Sequence, residues 1–420
     1  MERIITRRSG PLHGEITADP SKNSILPLMA CSLLTQEPLR LRRVPRLTDV
    51  DLMLDILHHL GVTSRWDDDT LELSAETLKD FTLPSRLTRG LRASILVAGP
   101  LLSRTPEFRC AYPGGCAIGQ RPVDMHLSGF AQLQAGILQE DDALVITSRH
   151  LRAATIHLEY PSVGGTENLM MAATLIPGTT TLHNAAREPE IVDVARLLQQ
   201  MGAQIHGAGT SRISITGVHR LRGADFTPIS DRIEAGTYMY AAALLGGDIR
   251  LGKIDPGSVA PVTAHLRQAG ACIETGPDWL IIRASGRPAP TQLTTAPWPG
   301  FPTDLQPPAT VLAAIGKGTS TLTETVFENR FMHVPALCAM GADIRIHRNR
   351  MTIEGIPSLT GAHIYTTDLR AGAAMVLAGL AAAGQSVIDD SGHIRRGYAS
   401  LVEKLRALGG DISSQHVEGR

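Results

Sequence analysis

Two kinds of apolar pattern alternate along the 420-residue chain. The first is a helical pattern that runs into a Leu/Met-Gly-Ala-like stop and is followed by short strand patterns. It occurs six times, as LDILHHLGVTSRW, FAQLQAGILQE, ARLLQQMGAQIHG, AHLRQAGACIET, PALCAMGADIRIH and EKLRALGGDISS. Gly61, Gly202, Gly270, Gly341 and Gly409 mark the helix ends, where a left-handed cap favours glycine; in the second copy Gln134 holds that place. The copies recur about every 70 residues, longer than common solenoid units but with the same logic of stacked repeats. Unrelated elements sharing a helix stop by chance would not keep that spacing.

The second pattern lies upstream of the first in each copy and is rich in small residues: SILPLMACSLL, RASILVAGPLL, ENLMMAATLI, GTYMYAAALL, ATVLAAIG and AGAAMVLAGLAAAG. Its apolar residues cover most of the circumference, which predicts a helix buried on all sides. A strand such as TTTLHNAA or TSTLTETV follows, then an Asp- or Pro-bearing turn. The expected class is α/β, in β-α-β-α-β-β units with buried helices and outer sheets. Three units per half put a break near ITGVHRLRGADFTPISDR. The reading is one domain over 22–229 and a second over 1–21 with 230–420, the N-terminal segment pairing with the later half. A cleft between two such domains is a frequent place for a small-molecule site.

Composition narrows the functional classes. Aromatic residues are 4% of the chain, so small and aliphatic side chains must carry the core. A formal net charge of −1 supplies no field for non-specific binding of nucleic acid or acidic membrane. The N-terminal MERIITRRSGPLHGEI lacks the apolar core of a signal peptide, and no run approaches a membrane span. Cys31, Cys110, Cys116, Cys272 and Cys338 are odd in number and lack metal-type spacing. Free thiols in a cytoplasmic protein are the expectation.

Charged and reactive residues concentrate in the inter-repeat turns. Lys22, Arg121, Arg330, Arg370 and Arg396 all lie there and can converge from distant positions on a substrate bearing carboxylate and phosphate. For any one of them alone, a surface ion pair is the plainer reading. The most specific segment is PGGCAIGQRP, where Gly114, Gly115 and Gly119 suit a loop that closes over substrate. Cys116 lies among them; beside cations its thiol would be acidic enough for proton transfer or attack, the alternative being a structural cysteine in a tight turn. The other four cysteines read as core. Asp304, after Phe-Pro-Thr, is a candidate general base or a helix N-cap. The turn Ser162-Val163-Gly164 opens a helix whose amides suit a phosphate or diphosphate, though capping alone explains it as well.

These motifs resemble the enolpyruvyltransferases, and among them the UDP-N-acetylglucosamine 1-carboxyvinyltransferases. The resemblance runs from about Arg3 to the C-terminus and rests on SKNSILP, RASILVAGP, PGGCAIGQRPVDMH, NAAREPEIVD, FPTDLQ, ENRFMHVPAL, TDLRAGAAMVLAG and HIRRGY. It implies a two-domain inside-out α/β barrel of six repeated units. The 5-enolpyruvylshikimate-3-phosphate synthases share that fold but lack the Cys-bearing loop. The resemblance further implies transfer of the carboxyvinyl group of phosphoenolpyruvate to the 3-hydroxyl of UDP-N-acetylglucosamine, the first committed step of peptidoglycan precursor synthesis. Lys22, Arg121 and Arg396 would hold phosphoenolpyruvate, with Arg92, Arg330 and Arg370 completing the cationic wall. Asn23, Asp304 and the backbone at Val326 would hold the amino sugar. Arg121, Pro122, Val123, Asp124 and Met125 would surround the uridine, and Ser162, Val163 and Gly164 would meet the diphosphate. Cys116 would support protonation at C3; no metal or organic cofactor, nucleic acid or membrane insertion is implied.

Three positions bear on specificity. Gly392 stands where the family usually has an aromatic, Arg395 where it has an acid, and Tyr160 where some members have lysine. Two alternatives follow: an enolpyruvyltransferase for another uridine nucleotide, or an idle UDP-sugar-binding regulatory homologue.

Overall fold

A computed structural model of the chain describes residues 1–114 and 123–417. They fall into two compact units. One comprises Met1–Asp19 and Ser230–Arg420 up to the last described residue; the other holds the described residues of 20–229. Among the described residues there are six four-stranded sheets. All share one topology, seen in Thr155–His157, Thr179–His183, Arg212–Thr216 and Gln204–His206: the first pair is parallel and the next two antiparallel. The repeat read from the helix stops is thus a repeat of sheets. The sheets remain separate four-stranded layers and no closed barrel forms among the described residues; the expected inside-out arrangement takes the form of buried helices walled by sheets.

The chain does not fill the sheets in order. Glu2–Arg7 pairs with Gln385–Asp390, and Leu12–Thr17 lies parallel to Gly247–Gly252. Ala224–Phe226 returns to lie beside Leu39–Leu41.

In the unit that includes the C-terminal half, the helices Arg232–Leu245, Gln306–Ala314 and Leu369–Ala381 pack on one another. Leu369 to Leu380 are all buried, and apart from Arg370 the run is made of small and apolar residues. A Cβ at Gly236 would come 2.3 Å from Leu305 Cδ1, so glycine there lets the Thr303–Leu305 turn press onto the helix.

In the other unit Lys22–Ala30 and Val163–Ala173 take the inner positions, and RASILVAGPLL does not form one α-helix. It is a 3-10 segment, Arg92–Val97, followed by one α-turn, Ala98–Leu101. Pro100 has no N–H, and Gly99 N donates to Asn168 Oδ1 at 2.7 Å rather than to its own helix.

All five cap glycines have φ between 95° and 107°, and Gln134 adopts the same left-handed region at φ 67°. The cysteine reading needs correction. Cys31 and Cys110 are buried, but Cys272 and Cys338 are exposed. Cys272 opens a strand whose inward side chain is Ile273, and Cys338 follows the buried Leu337 on a short helix. An apolar neighbourhood in sequence did not mean an inward direction. No helix among the described residues is long and apolar enough to cross a membrane.

Candidate active site

Asp304 lies in the 3-10 turn Thr303–Leu305, two residues past its Pro302 cap. It therefore does not serve as the N-cap. Its carboxylate instead takes two arginines. Oδ1 accepts from Arg330 Nη2 at 2.9 Å, and Oδ2 accepts from Arg370 Nε at 3.1 Å and lies 3.0 Å from Nη2. The arginine side chains are 3% and 4% exposed, while Asp304 is 25% exposed and forms the open edge of the cluster. Arg330 Nε and Arg370 Nη1 are buried with no hydrogen-bond partner among the described residues. Two guanidinium groups with donors to spare share the Asp304 carboxylate, and Asp231 lies near enough to act on the Arg370 charge. The cluster is suited to an anion with several acceptor oxygens.

The fold holds each member from behind. Asp368 caps Leu369–Ala381, accepting from Arg370 N at 2.8 Å and Ala371 N at 3.0 Å. The Arg370 guanidinium lies 5.3 Å from the Tyr398 ring centre, and the Tyr398 hydroxyl bonds Thr237 Oγ1 at 2.9 Å. Burial works against the Arg370 charge, but Asp304, Tyr398 and Asp231 outweigh it and raise its pKa. Glu324 ties two predicted positions together. Its Oε1 accepts from Val326 N at 2.8 Å and Phe327 N at 3.1 Å, and its Oε2 accepts from Thr303 Oγ1 at 2.9 Å. The Val326 amide is therefore spent on Glu324.

Arg396 ends the turn Ile394–Arg396, which the Asp390 carboxylate organises by accepting from Gly392 N, His393 N and Ile394 N. Gly392 has φ 95°, and nothing lies within 4 Å of where its Cβ would stand, so backbone conformation rather than crowding suits glycine there. Arg395 is exposed and Arg396 half-buried.

In the other unit Lys22 is the first residue of its helix, and its Nζ lies 2.6 Å from Asp49 Oδ2. Lys22 is 13% exposed and Asp49 only 2%, which makes Asp49 a fixed counter-charge. Asn23, next along the helix, is half-buried. Arg92 lines a cavity of about 360 Å³ with Tyr112, Pro113, Val123, Asp124, Leu127 and Gln139. Val123 and Asp124 were expected around a uridine; Met125, beside them, is half-buried. Ser162 caps Val163–Ala173, its hydroxyl accepting from Gly165 N at 3.2 Å. Capping is thus its observed work, with Val163 and Gly164 in the helix's first turn. Tyr160 is 38% exposed.

Gly114 approaches the backbone closely: a Cβ there would lie 2.1 Å from Arg89 O. Its glycine answers to contact rather than to loop mobility. Cys116, Arg121 and Pro122, with Gly115 and Gly119, lie outside the described residues.

Asp49, Asp231, Glu324, Tyr398 and His126 escaped the sequence reading. Each carries one polar group whose partner is remote in sequence or hidden in a cap, so no local pattern marks it.

The sequence pattern of the family described as EPSP synthase (3-phosphoshikimate 1-carboxyvinyltransferase) matches residues 6–405. The chain belongs to this enolpyruvyltransferase family. It is 46% identical to the UDP-N-acetylglucosamine 1-carboxyvinyltransferase of Halorhodospira halophila over 98% of this chain and 99% of that one. With the protein of the same name from Idiomarina loihiensis the identity is 44%, with the same coverage. Among solved structures it is similar to the enolpyruvyl transferase NikO from Streptomyces tendae, with TM-score 0.89, 25% identity and 99% of both chains covered. In this enolpyruvyltransferase the arginines gathered on Asp304 come from the segments ENRFMHVPAL and TDLRAGAAMVLAG, which carried the resemblance.

Proposed function

We propose that this enolpyruvyltransferase moves the carboxyvinyl group of phosphoenolpyruvate to the 3-hydroxyl of UDP-N-acetylglucosamine, releasing phosphate. The likeness at 46% and 44% identity across nearly the whole chain to two enzymes named for that reaction carries the assignment. The Asp304 cluster supports it chemically: one partly open carboxylate is held rigidly between two buried cations.

Asp304 orients the sugar 3-hydroxyl and takes its proton as oxygen bonds to C2 of phosphoenolpyruvate. A proton reaches C3 from Cys116, giving a tetrahedral adduct. Loss of a C3 proton and cleavage of the C2–O bond to phosphate then restore the vinyl ether. Lys22, Arg121 and Arg396 hold phosphoenolpyruvate, and Arg92, Arg330 and Arg370 offset the charge that develops on the departing phosphate. Asn23 binds the amino sugar with the Val326 carbonyl. Pro122, Val123, Asp124 and Met125 border the uridine, and Ser162, Val163 and Gly164 the diphosphate. We place the reaction in the cytoplasm, at the entry to peptidoglycan precursor synthesis.

Phosphate release with phosphoenolpyruvate and UDP-N-acetylglucosamine tests the assignment, with an enolpyruvyl ether of the UDP-sugar as the expected product. Release only with shikimate 3-phosphate or another uridine nucleotide would move the chain to a different substrate within the family. Tight UDP-sugar binding without release would make it the idle regulatory homologue.

A further inference from the structure

His126 follows the predicted uridine segment and has no role in the mechanism above. It is 6% exposed. Its Nδ1 lies 3.0 Å from Asn168 Nδ2, and the orientation of that amide is determined by its other partners. Asn168 Oδ1 must be the oxygen, because it accepts from Gly99 N at 2.7 Å. Asn168 Nδ2 must be the nitrogen, because it donates to Ile95 O at 2.9 Å. Asn168 therefore presents an N–H to His126 Nδ1, which has to accept it. A neutral ring that accepts at Nδ1 carries its hydrogen at Nε2.

The Cε1–Nε2 edge faces the first turn of Val163–Ala173. A Cβ at Gly164 would lie 3.4 Å from His126 Cε1 and 3.6 Å from Nε2. Nε2 makes no hydrogen bond among the described residues. The start of an eleven-residue helix thus meets a nine-tenths-buried donor whose hydrogen has no acceptor among the described residues. Helix amides, the positive end of the helix and an added N–H all favour one kind of ligand group, an anionic oxygen.

We infer that His126 is a neutral hydrogen-bond donor, locked in its Nε2–H form by Asn168, that binds a phosphate oxygen of a nucleoside diphosphate at the Gly164 turn. The ligand class rests on the UDP-sugar reading above; the tautomer does not. Burial, and then the nearby Arg92 charge, lower the His126 pKa to about 4, so the ring stays a neutral donor through the physiological range. A charged histidine would present an N–H to the Asn168 N–H and break the relay to Gly99 and Ile95. Asn168 is fully buried, which leaves it no room to turn away.

The test joins nitrogen NMR of the imidazole with binding of UDP and of uridine to the full chain. At pH 7 wild type is expected to show an Nε2–H ring whose proton moves downfield when UDP is added. His126→Phe is expected to weaken UDP binding by about 10-fold or more, the range for a hydrogen bond to a charged acceptor, and to leave uridine within about 2-fold. His126→Gln places an amide N–H at similar reach and should recover most of the loss; a merely structural role would not separate UDP from uridine. An Nδ1–H or doubly protonated ring at pH 7 overturns the lock. Equal UDP affinity in wild type and His126→Phe overturns the contact while leaving the substrate reading intact. Wild type that fails to bind UDP overturns the substrate reading itself, and the ligand class with it.

Discussion

Asp304 shows how much one carboxylate organises. Two almost fully buried guanidinium groups bond to it, so Asp304→Ala removes the carboxylate that both of them share. Removing one member of a buried ion cluster costs about 3 kcal/mol. Thermal unfolding should show that loss. Millimolar inorganic phosphate should restore more stability to the variant than it adds to wild type, because the spare arginine N–H groups accept an anion in place of the carboxylate. Turnover should fall by about 100-fold or more if Asp304 is the base; a variant with wild-type stability and no phosphate response would show that the arginines do not rely on it. The cysteines separate as sharply. Burial pushes the Cys110 thiol up to about 12 and raises that of Cys31 as well. A thiol reagent on the native protein should label Cys272 and Cys338 and spare these two until unfolding. Any reading of Cys116 reactivity is therefore cleanest with Cys272 and Cys338 replaced by serine.

At the scale of elements, turns matter more than helices. Glu324 collects two amides and the hydroxyls of Thr295 and Thr303, with Thr295 Oγ1 at 2.8 Å from Oε1. Glu324→Ala strands buried donors in two turns and should cost about 2 kcal/mol. Because one of those turns carries Asp304, turnover should fall as well; lowered stability with unchanged kcat would mean the Asp304 turn stands without this brace. The repeat predicts a gain elsewhere. Gln134 is exposed and holds φ 67° where the other five copies use glycine. Gln134→Gly should stabilise by about 0.5–1 kcal/mol, read as a higher thermal midpoint.

For the whole molecule, buried titratable groups set opposing pH trends. Burial lowers His265 to about 4 and His333 to about 3, as it lowers His126 to about 4. A histidine depressed from 6.5 contributes stability above pH 6.5 that is lost as pH falls toward the folded value, because the unfolded chain takes the proton first. Burial raises Glu234, and takes Asp193 up to about 6, and their contribution runs the other way: it is lost as pH rises through the raised values. His265→Gln isolates one histidine. Tyr240 Oη and Thr291 Oγ1 flank its ring at 2.7 and 2.9 Å, and glutamine can engage at least one of them. The variant should be less stable at pH 7 yet lose less than wild type between pH 7 and pH 5. An unchanged pH slope would mean that His265 takes up its proton in the folded protein as readily as in the unfolded chain.

The repeat, the α/β class and the buried helices were legible in sequence because each depends on local physics. A left-handed helix stop selects glycine, and a helix enclosed on all sides admits few polar residues. Those rules hold whatever the partners are, so even Gln134 was placed correctly by its position in the repeat. Of the site, Asp304, Arg330 and Arg370 were named from turns and motifs, but not the fact that one carboxylate holds both arginines. That pairing joins turns 26 and 66 residues apart. Side-chain direction was equally hidden, since Cys272 and Cys338 sit in apolar runs and point outward. The Asn168 amide belongs to the same class: its orientation is determined by Gly99 and Ile95, about 70 residues upstream, and it determines which nitrogen of His126 carries a hydrogen. Sequence by itself determined which elements form and where they stop, because that is decided within a few residues of chain. Only the tertiary structure decided which polar atoms share a proton or a charge, because hydrogen bonds and ion pairs depend on distances of about 3 Å between segments brought together by packing.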